Sequence, residues 1–336
     1  MQKRNGFIIP FAKQTGLTSF ASMTAVKKAL GTKKVGHTGT LDSFADGLLV
    51  LLSDKMTHLA GIISAGKKSY EVWAEFGIQT SSLDTEGEII RTAELPTLSA
   101  LEKAIPEFIG KIEQVPPEFS AIKINGKRAS DRIRQGERVA LAPRPIEIFN
   151  IGLINIIPSL DGKVKYARLS VDCSKGTYIR SLVRDLASFM KTCGYVKALR
   201  RTEVGPFTLE KAAGFTLLPD FSQLPKTWEI KSENGDCKKN YSEQKELSTE
   251  EIKNKILNFT PDIAEKLNLK SLFISEKYLN DFHCGKKIKI DWFTSLQKEH
   301  VLLFPSEKAA VFFNGLYTGL ISMTENGFKY ETVIKI

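Results

Sequence analysis

Apolar and polar residues alternate along several stretches of the chain, a pattern typical of β-strands with one buried face. In the stretch 70–76 (YEVWAEF), Tyr70, Val72 and Phe76 share one face and charged residues lie opposite, which predicts a half-buried strand. The unbroken apolar run 48–52 (LLVLL) predicts a strand inside a core. Further strands are predicted at 7–10, 145–157, 164–173 and 196–204.

Apolar residues at helical spacing predict helices at 18–30 and 99–109, and a third that starts near Thr177. The first helix follows a Thr-Ser pair suited to an N-cap, places Phe20 on its apolar face and ends before Gly31. Helices and strands therefore occur together in the first two-thirds of the chain.

The last third of the chain has a different composition. Residues 229–250 are polar and charged, which predicts an insertion or linker without a packed core. Strand patterns return at 267–336, in the stretches LFIS, KKIKIDWF, HVLLF, AAVFFNGLYTGLISM and GFKYETVIKI. We therefore predict a large domain at 1–265 and a small β-barrel or sandwich at 266–336.

The overall composition is that of an ordinary soluble globular protein, with 42% hydrophobic and 26% charged residues among 336. No apolar run approaches the length of a membrane span, and the N-terminus lacks the apolar segment of a signal peptide. The four cysteines stand far apart, which argues against a structural zinc site or a disulfide framework. We expect a cytoplasmic protein with free thiols.

Positive charge is clustered along the chain, whose net charge is +10. Residues 1–40 carry seven basic side chains and no acid, and further basic clusters lie at 121–138 and 161–201. Such clustering suits a track for a polyanion. A solvated lysine-rich surface explains the charge equally well.

The segment 119–138 combines a hairpin signal with basic side chains. Asn125 and Gly126 separate two short apolar-basic runs, and this dipeptide favours a tight β-turn. The segment is interpreted either as an arm that reaches for phosphate groups or as an exposed loop.

The stretch 36–47 (GHTGTLDSFADG) presents Asp42 within a glycine-rich loop that leads into the apolar run. Taken alone, an aspartate in such a loop is more often a turn or capping residue than a catalyst. The stretch 174–180 (SKGTYIR) places Arg180 in the first turn of a predicted helix. A cation there opposes the helix dipole, so it favours an anionic partner, for which Asp42 is a candidate.

Taken together, these motifs make the chain similar to the TruB-type tRNA pseudouridine synthases over nearly its whole length. The resemblance is carried by AKQTGLTS at 12–19, GHTGTLD at 36–42, KKSYEVWAEFG at 67–77, FSAIKINGKRASDRIRQG at 119–136, CSKGTYIR at 173–180 and LRRTEVGPF at 199–207. The combination of GHTGTLD and CSKGTYIR is highly specific. The resemblance implies an α+β fold with a mixed, mostly antiparallel sheet, flanking helices and a central cleft, followed by a small PUA-like β domain.

The resemblance also implies a role for each matching residue. Asp42 matches the catalytic aspartate, Tyr70 the tyrosine that stacks on the target base, and Arg180 the arginine that pairs with the aspartate. Tyr178 and Leu199 match residues that line the pocket, and His37 the histidine that enters the T-loop. We also expect Lys13 to contact the substrate, the arm 119–138 to grip the T-arm, and the RNA to be bound by Lys67, Lys68, Lys123, Lys127, Arg128 and Arg132.

The implied chemistry suits these residues. Conversion of uridine to pseudouridine breaks the C1′–N1 bond and joins C1′ to C5, without net redox change, so we expect no cofactor and no metal. A base inside folded RNA must be flipped out, which calls for a stacking partner and a wedge. Asp42 must be ionised, and the fixed fork of Arg180 suits that task better than a lysine. Whether Asp42 attacks C1′, adds to the base or removes a proton stays open.

The chain departs from the family pattern at three positions. Gln14 and Ser43 stand where proline is usual, and Asp46 replaces a threonine. Loss of proline removes a restriction on the loop. We expect the side chain of Asp46 to point to solvent or to cap the following segment.

The leading hypothesis is therefore a pseudouridine synthase that acts on uridine 55 in the T-loop of tRNA. One alternative is a synthase for another RNA stem-loop, and another is a non-catalytic protein that binds or remodels tRNA. The sequence disfavours a third hypothesis, a hydrolase with paired carboxylates, because no second matched acid is apparent. We expect tRNA, through its T-arm, as the partner, with no membrane and no obligate protein partner.

Overall fold

The structure is a computed structural model that describes residues 5–120, 122–124, 127–128, 132, 141–224, 245–294 and 303–336. The strands are β1 (Ile8–Lys13), β2 (Val35–His37), β3 (Asp46–Ser53), β4 (Lys68–Phe76), β5 (Ile78–Thr80), β6 (Ile89–Thr92), β7 (Gly110–Gln114), β8 (Lys123–Ile124), β9 (Lys127–Arg128), β10 (Arg144–Pro158), β11 (Val164–Cys173), β12 (Gly194–Val204), β13 (Phe207–Thr208), β14 (Lys270–Phe273), β15 (Lys308–Phe313), β16 (Leu316–Thr324) and β17 (Gly327–Val333). The helices are α1 (Ser19–Leu30), α2 (Ala60–Ala65), α3 (Leu98–Ala104), α4 (Ile179–Phe189), α5 (Thr249–Asn254), α6 (Pro261–Lys266) and α7 (Glu276–His283).

One large sheet organises the first two-thirds of the chain. Its strand order is β1-β3-β12-β4-β11-β10-β7, with β2 paired to β3 and β13 paired to β12. The neighbouring strands are antiparallel except for β12 and β3, which run parallel. The predicted α+β fold with a mixed, mostly antiparallel sheet is confirmed.

Strand β3 is buried along its whole length, as its apolar run predicts. Leu48, Val50 and Leu52 pack into one core, and Leu49 and Leu51 pack into a second core against α1. The first core also contains residues of the C-terminal sheet. Both faces of the strand are therefore enclosed by protein.

Strand β4 was predicted to be half-buried, and this prediction is wrong. Tyr70, Val72 and Phe76 do lie in the main core. On the opposite face, Trp73 is fully buried, and its indole N–H donates to the carbonyl of Phe221 at 3.2 Å. The segment after β13 thus covers the face that the sequence pattern assigned to solvent.

Helix α1 begins and ends as predicted, with Thr18 accepting a hydrogen bond from the backbone of Ala21 and Gly31 in the left-handed conformation. Phe20, however, is 69% exposed. The predicted helix at 99–109 is shorter, because α3 passes into a 3₁₀ turn at Ile105–Phe108.

Within the described C-terminal residues, four strands form one sheet in the order β14-β15-β16-β17, and the predicted β-barrel or sandwich stays a prediction. The stretch KKIKIDWF contains a 3₁₀ turn at Ile290–Trp292 where a strand was expected, and α7 was not expected. The stretch HVLLF lies partly outside the described residues. Within the described part, no helix has the length and apolar character needed to cross a membrane.

Candidate active site

The glycine-rich loop that carries Asp42 connects β2 to β3 and is held from below by Arg201 of β12. This arginine is 1% exposed, and its guanidinium donates to the carbonyls of Leu48 at 2.8 Å, Gly39 at 3.2 Å and Thr40 at 3.4 Å. Gly47 has φ 109° and passes so close that a Cβ would lie 2.4 Å from the Arg201 carbonyl oxygen. The loop can take this path only because residue 47 is glycine.

Lys13 lies beneath the same loop. Its side chain is fully buried, and its Nζ donates to the carbonyls of Leu17 at 2.7 Å, Gln14 at 3.1 Å and Ser43 at 3.3 Å. Burial, only partly offset by Asp46 and Asp42, lowers the pKa of Lys13 to about 7. The geometry makes Lys13 a support for the loop, where the sequence predicted a substrate contact.

Asp42 and Arg180 form an ion pair at the N-terminal end of helix α4, with Arg180 Nε 3.0 Å from Asp42 Oδ2. The Asp42 side chain is 40% exposed and the Arg180 side chain 5% exposed. Tyr178 occupies the N-cap of α4, so Arg180 lies in its first turn. The buried arginine thus presents a more accessible carboxylate to the cleft.

Arg180 has a second acidic partner, Asp84, which the sequence did not reveal. Arg180 Nη1 lies 3.1 Å from Asp84 Oδ2 and 2.9 Å from the Ser82 carbonyl, and Nη2 donates to the carbonyl of Phe119 at 3.0 Å. Every nitrogen of the guanidinium therefore has an acceptor. Burial raises the pKa of Asp84 to about 6, against the opposing effect of Arg180.

Asp84 is itself fixed by its own loop between β5 and β6. Its carboxylate accepts from the Ser82 hydroxyl and, at 2.9 Å, from the backbone of Glu86. Leu83 has φ 62°, in the left-handed region that is uncommon for residues other than glycine. No periodicity in this polar loop marks Asp84 as a partner of an arginine on α4.

These residues surround a cleft of about 270 Å³. Tyr70 and Leu199 supply apolar lining from β4 and β12, and burial raises the pKa of the Tyr70 phenol, so that it stays neutral. The predicted site residues Asp42, Tyr70, Tyr178, Arg180 and Leu199 all line this cleft. Further lining comes from Lys68, Ser120, Lys175 and Arg201.

His37 lies at the end of β2 beside the loop, and its Nδ1 accepts a hydrogen bond from the Gly39 backbone at 3.4 Å. Burial, reinforced by the charge of Arg201, lowers the pKa of His37, so the imidazole stays neutral near pH 7. A neutral ring beside this loop is suited to stacking or hydrogen bonding with a base.

The predicted RNA-binding residues fall into three groups. Lys67 is half-exposed and pairs with Asp172 at 2.9 Å. Lys68 is buried, with its Nζ 2.7 Å from the carbonyl of Ser64, and burial lowers its pKa to about 8. The third group belongs to the arm. Strands β8 and β9 pair as the predicted hairpin and contain Lys123, Lys127 and Arg128, but the side chains of the hairpin and its turn residues lie outside the described part. Arg132 is partly buried.

Asp46 does not point to solvent or cap the next segment, so that expectation is wrong. It is 3% exposed and forms a bidentate pair with Arg200, at 2.7 Å to Nε and 2.6 Å to Nη2. The Arg200 guanidinium also donates to the Pro219 carbonyl at 2.9 Å and lies 4.7 Å from the Phe221 ring centre. Asp46 therefore has a partner of its own and does not line the cleft that Asp42 lines.

The described residues contain no group of three or more His, Cys, Asp or Glu side chains arranged as a metal site. The cleft combines one accessible carboxylate, a buried arginine that neutralises it, and aromatic and aliphatic walls. Such a site can hold a flat ring against Tyr70 and bring a carboxylate to it.

Comparison with known proteins gives consistent results. The family described as "TruB family pseudouridylate synthase (N terminal domain)" matches residues 27–179. A protein named tRNA pseudouridine synthase B from Treponema denticola is 54% identical over 356 aligned residues, covering 100% of both chains. A protein of the same name from Treponema pallidum is 37% identical, with 97% of this chain and 96% of that protein covered.

A solved structure of an H/ACA RNP bound to a substrate RNA containing 2′-deoxyuridine has a chain with a TM-score of 0.63 to this one. That match covers 98% of this chain and 85% of the other at 16% identity. At this identity the similarity shows a shared fold.

Proposed function

The chain belongs to the TruB family of pseudouridine synthases, and we propose that it acts on uridine 55 in the T-loop of tRNA. Its relatives named tRNA pseudouridine synthase B match it from end to end. The protein is accordingly an isomerase that converts uridine in tRNA to pseudouridine. The choice of the T-loop uridine and the roles of individual residues form the proposal.

The observation that carries the proposal is the ion pair between Asp42 and Arg180 at the base of the cleft. The pair leaves the carboxylate 40% exposed, while Arg180 is buried and held by three further acceptors. A guanidinium held by several acceptors fixes the position of the carboxylate it pairs with, and the exposed carboxylate stays accessible to a base in the cleft. We assign Asp42 as the catalytic residue on this ground.

The reaction needs the carboxylate to reach a nucleotide whose base has left the RNA stack. Cleavage of the C1′–N1 bond frees the uracil, which turns and bonds to C1′ through C5; the C5 proton is then lost and N1 gains one. The walls formed by Tyr70 and Leu199 hold the ring during this turn. Tyr178 and Lys68 also line the cleft.

Base flipping accounts for the shape of the site. A cleft of about 270 Å³ admits a small group and not a base-paired stem. Extrusion of a base costs a few kcal/mol, which stacking on Tyr70 repays in part. His37, beside the loop, is the wedge that we assign to the vacated position.

We assign the remaining RNA contacts to basic segments outside the cleft. The arm 119–138 grips the T-arm through Lys123, Lys127, Arg128 and Arg132, Lys67 adds a phosphate contact, and the sheet at 266–336 contacts other parts of the tRNA. Phosphate contacts of this kind make binding salt-dependent. A titration of tRNA affinity against salt should therefore give a steep slope, and a flat one would contradict these assignments.

The decisive experiment uses an unmodified tRNA transcript and maps pseudouridine by chemical labelling and primer extension. The parent protein is expected to modify position 55, and Asp42→Asn to give no detectable product while still binding tRNA. Product at another position would transfer the activity to a different stem-loop. Full activity of Asp42→Asn would refute the catalytic role of Asp42.

A further inference from the structure

The residue that follows Asp42 joins three segments of the chain. The Ser43 hydroxyl donates to Glu86 Oε1 at 2.6 Å. The Ser43 carbonyl accepts from the backbone of Gly16 at 2.8 Å and from Lys13 Nζ at 3.3 Å. The position of Ser43 thus depends on the β5–β6 loop on one side and on the loop after β1 on the other.

The β5–β6 loop is a firm anchor for this contact. The backbone N–H of Glu86 donates to Asp84 Oδ1 at 2.9 Å, and the Thr80 hydroxyl donates to the Asp84 carbonyl at 2.6 Å. The backbone of Ser81 donates to the carbonyl of Glu88 at 2.9 Å, which closes the loop. One loop therefore holds Arg180 through Asp84 and holds Ser43 through Glu86, two residues further along.

The Ser43–Glu86 hydrogen bond stands where a proline would otherwise restrict the backbone. Proline fixes φ of its own residue, whereas serine leaves that angle free in the absence of another restraint. The backbone N–H of Ser43 donates no hydrogen bond within the described part of the chain. The bond from the Ser43 side chain to Glu86 therefore adds a restraint to the two that the Ser43 carbonyl receives from Gly16 and Lys13.

We propose that Glu86 is a positioning residue that, through Ser43, holds the Asp42 carboxylate in register with Arg180. The inference rests on the proposed catalytic role of Asp42. Glu86 is exposed and does not line the cleft. Its effect reaches the carboxylate through one residue of backbone.

The test measures steady-state pseudouridine formation, as kcat and KM, for a set of variants. Glu86→Ala and Ser43→Ala are each expected to slow kcat by about five- to tenfold, as the loss of one hydrogen bond predicts, with KM within about twofold of the parent. Glu86→Gln is expected to restore the rate, because its amide oxygen still accepts from the serine hydroxyl. Glu88→Ala, which removes an exposed carboxylate from the same loop, is the matched control and should behave as the parent.

The double variants decide whether the two residues act together. Ser43→Ala with Glu86→Ala should be no slower than either single variant. Ser43→Pro should remove the need for Glu86, so that Glu86→Ala has no effect in that background. Additive losses, or an equal loss in Glu88→Ala, would overturn the inference.

The outcome is separable from the proposed function. A parent protein that forms pseudouridine and an Asp42→Asn variant that does not would sustain the catalytic assignment. Unchanged kcat in Glu86→Ala would then refute the positioning role alone. No product from the parent protein on any tRNA would instead refute the proposed function on which the inference rests.

Discussion

Replacement of Lys13 by methionine should change the way in which stability depends on pH. Lys13 is fully buried, and its pKa falls from 10.5 to about 7 on folding. Below pH 7 the folded protein carries the full cost of a buried charge. Between pH 7 and 10.5 the unfolded chain keeps a proton that the folded one has released, so the free energy of unfolding rises with pH.

The size of the effect follows from the two pKa values. Each pH unit within this window adds at most about 1.4 kcal/mol, and the slope is halved at the folded pKa itself. The contribution of Lys13 between pH 7 and pH 9 is therefore about 2 kcal/mol. Lys13→Met has no titrating group at this position and should lack that rise.

Urea unfolding at pH 7, 8 and 9 measures the difference directly. The free energy of unfolding of the parent minus that of Lys13→Met should grow by about 2 kcal/mol over this range. The variant also deprives three carbonyls of their donor, which sets the value of this difference at pH 7 but not its growth with pH. Lys33→Met, at an exposed position, is the control and should parallel the parent. Parallel curves for the parent and Lys13→Met would refute the reasoning, because Lys13 would then carry its charge in the folded protein up to its ordinary pKa.

Two further predictions concern the buried acids. Burial raises the pKa of Asp84 to about 6, so this carboxylate loses its charge as the pH falls and the rate of pseudouridine formation should decline through about pH 6. The variant Asp84→Asn should be slow at every pH, and its single-turnover rate plotted against pH should lack this inflection. An inflection near pH 6 that remains in Asp84→Asn would mean that another group causes it. Asp46→Asn leaves the Arg200 guanidinium buried without a charged partner, and the free energy of unfolding should fall by about 3 kcal/mol in urea; an unchanged value would mean that Arg200 finds another acceptor.

The regular elements could be predicted because each follows from local chemistry. The apolar run gave β3, alternation gave β11, and the caps gave α1. The pairing of Asp42 with Arg180 was predictable for a related reason: a cation in the first turn of a helix opposes the dipole and so favours an anion. The unexpected exposure of Phe20 shows the limit of periodicity, which marks an apolar face and not its outermost residue.

The support of the site could not be predicted in the same way, because it depends on contacts between distant strands. Arg201 and Lys13 are cations in stretches that also suit a basic surface, and only the fold shows that both are buried under one loop. Asp84 lies in a polar loop with no periodicity, about a hundred residues before its arginine. Asp46 looked like a surface substitution until Arg200 of a neighbouring strand was placed beside it.

Strand β3 also determines what a shortened chain could reveal. Leu48, Val50 and Leu52 share their core with Phe312 and Leu320 of the C-terminal sheet, and the same strand follows directly on the loop that carries Asp42. The boundary at residue 266 thus separates two stretches of sequence but runs through a single apolar interior. A protein truncated there would lose activity because β3 would lose the apolar residues that pack against it, even if the missing sheet never touched RNA. The contribution of that sheet to substrate binding is therefore measurable only by substitutions on its outer surface.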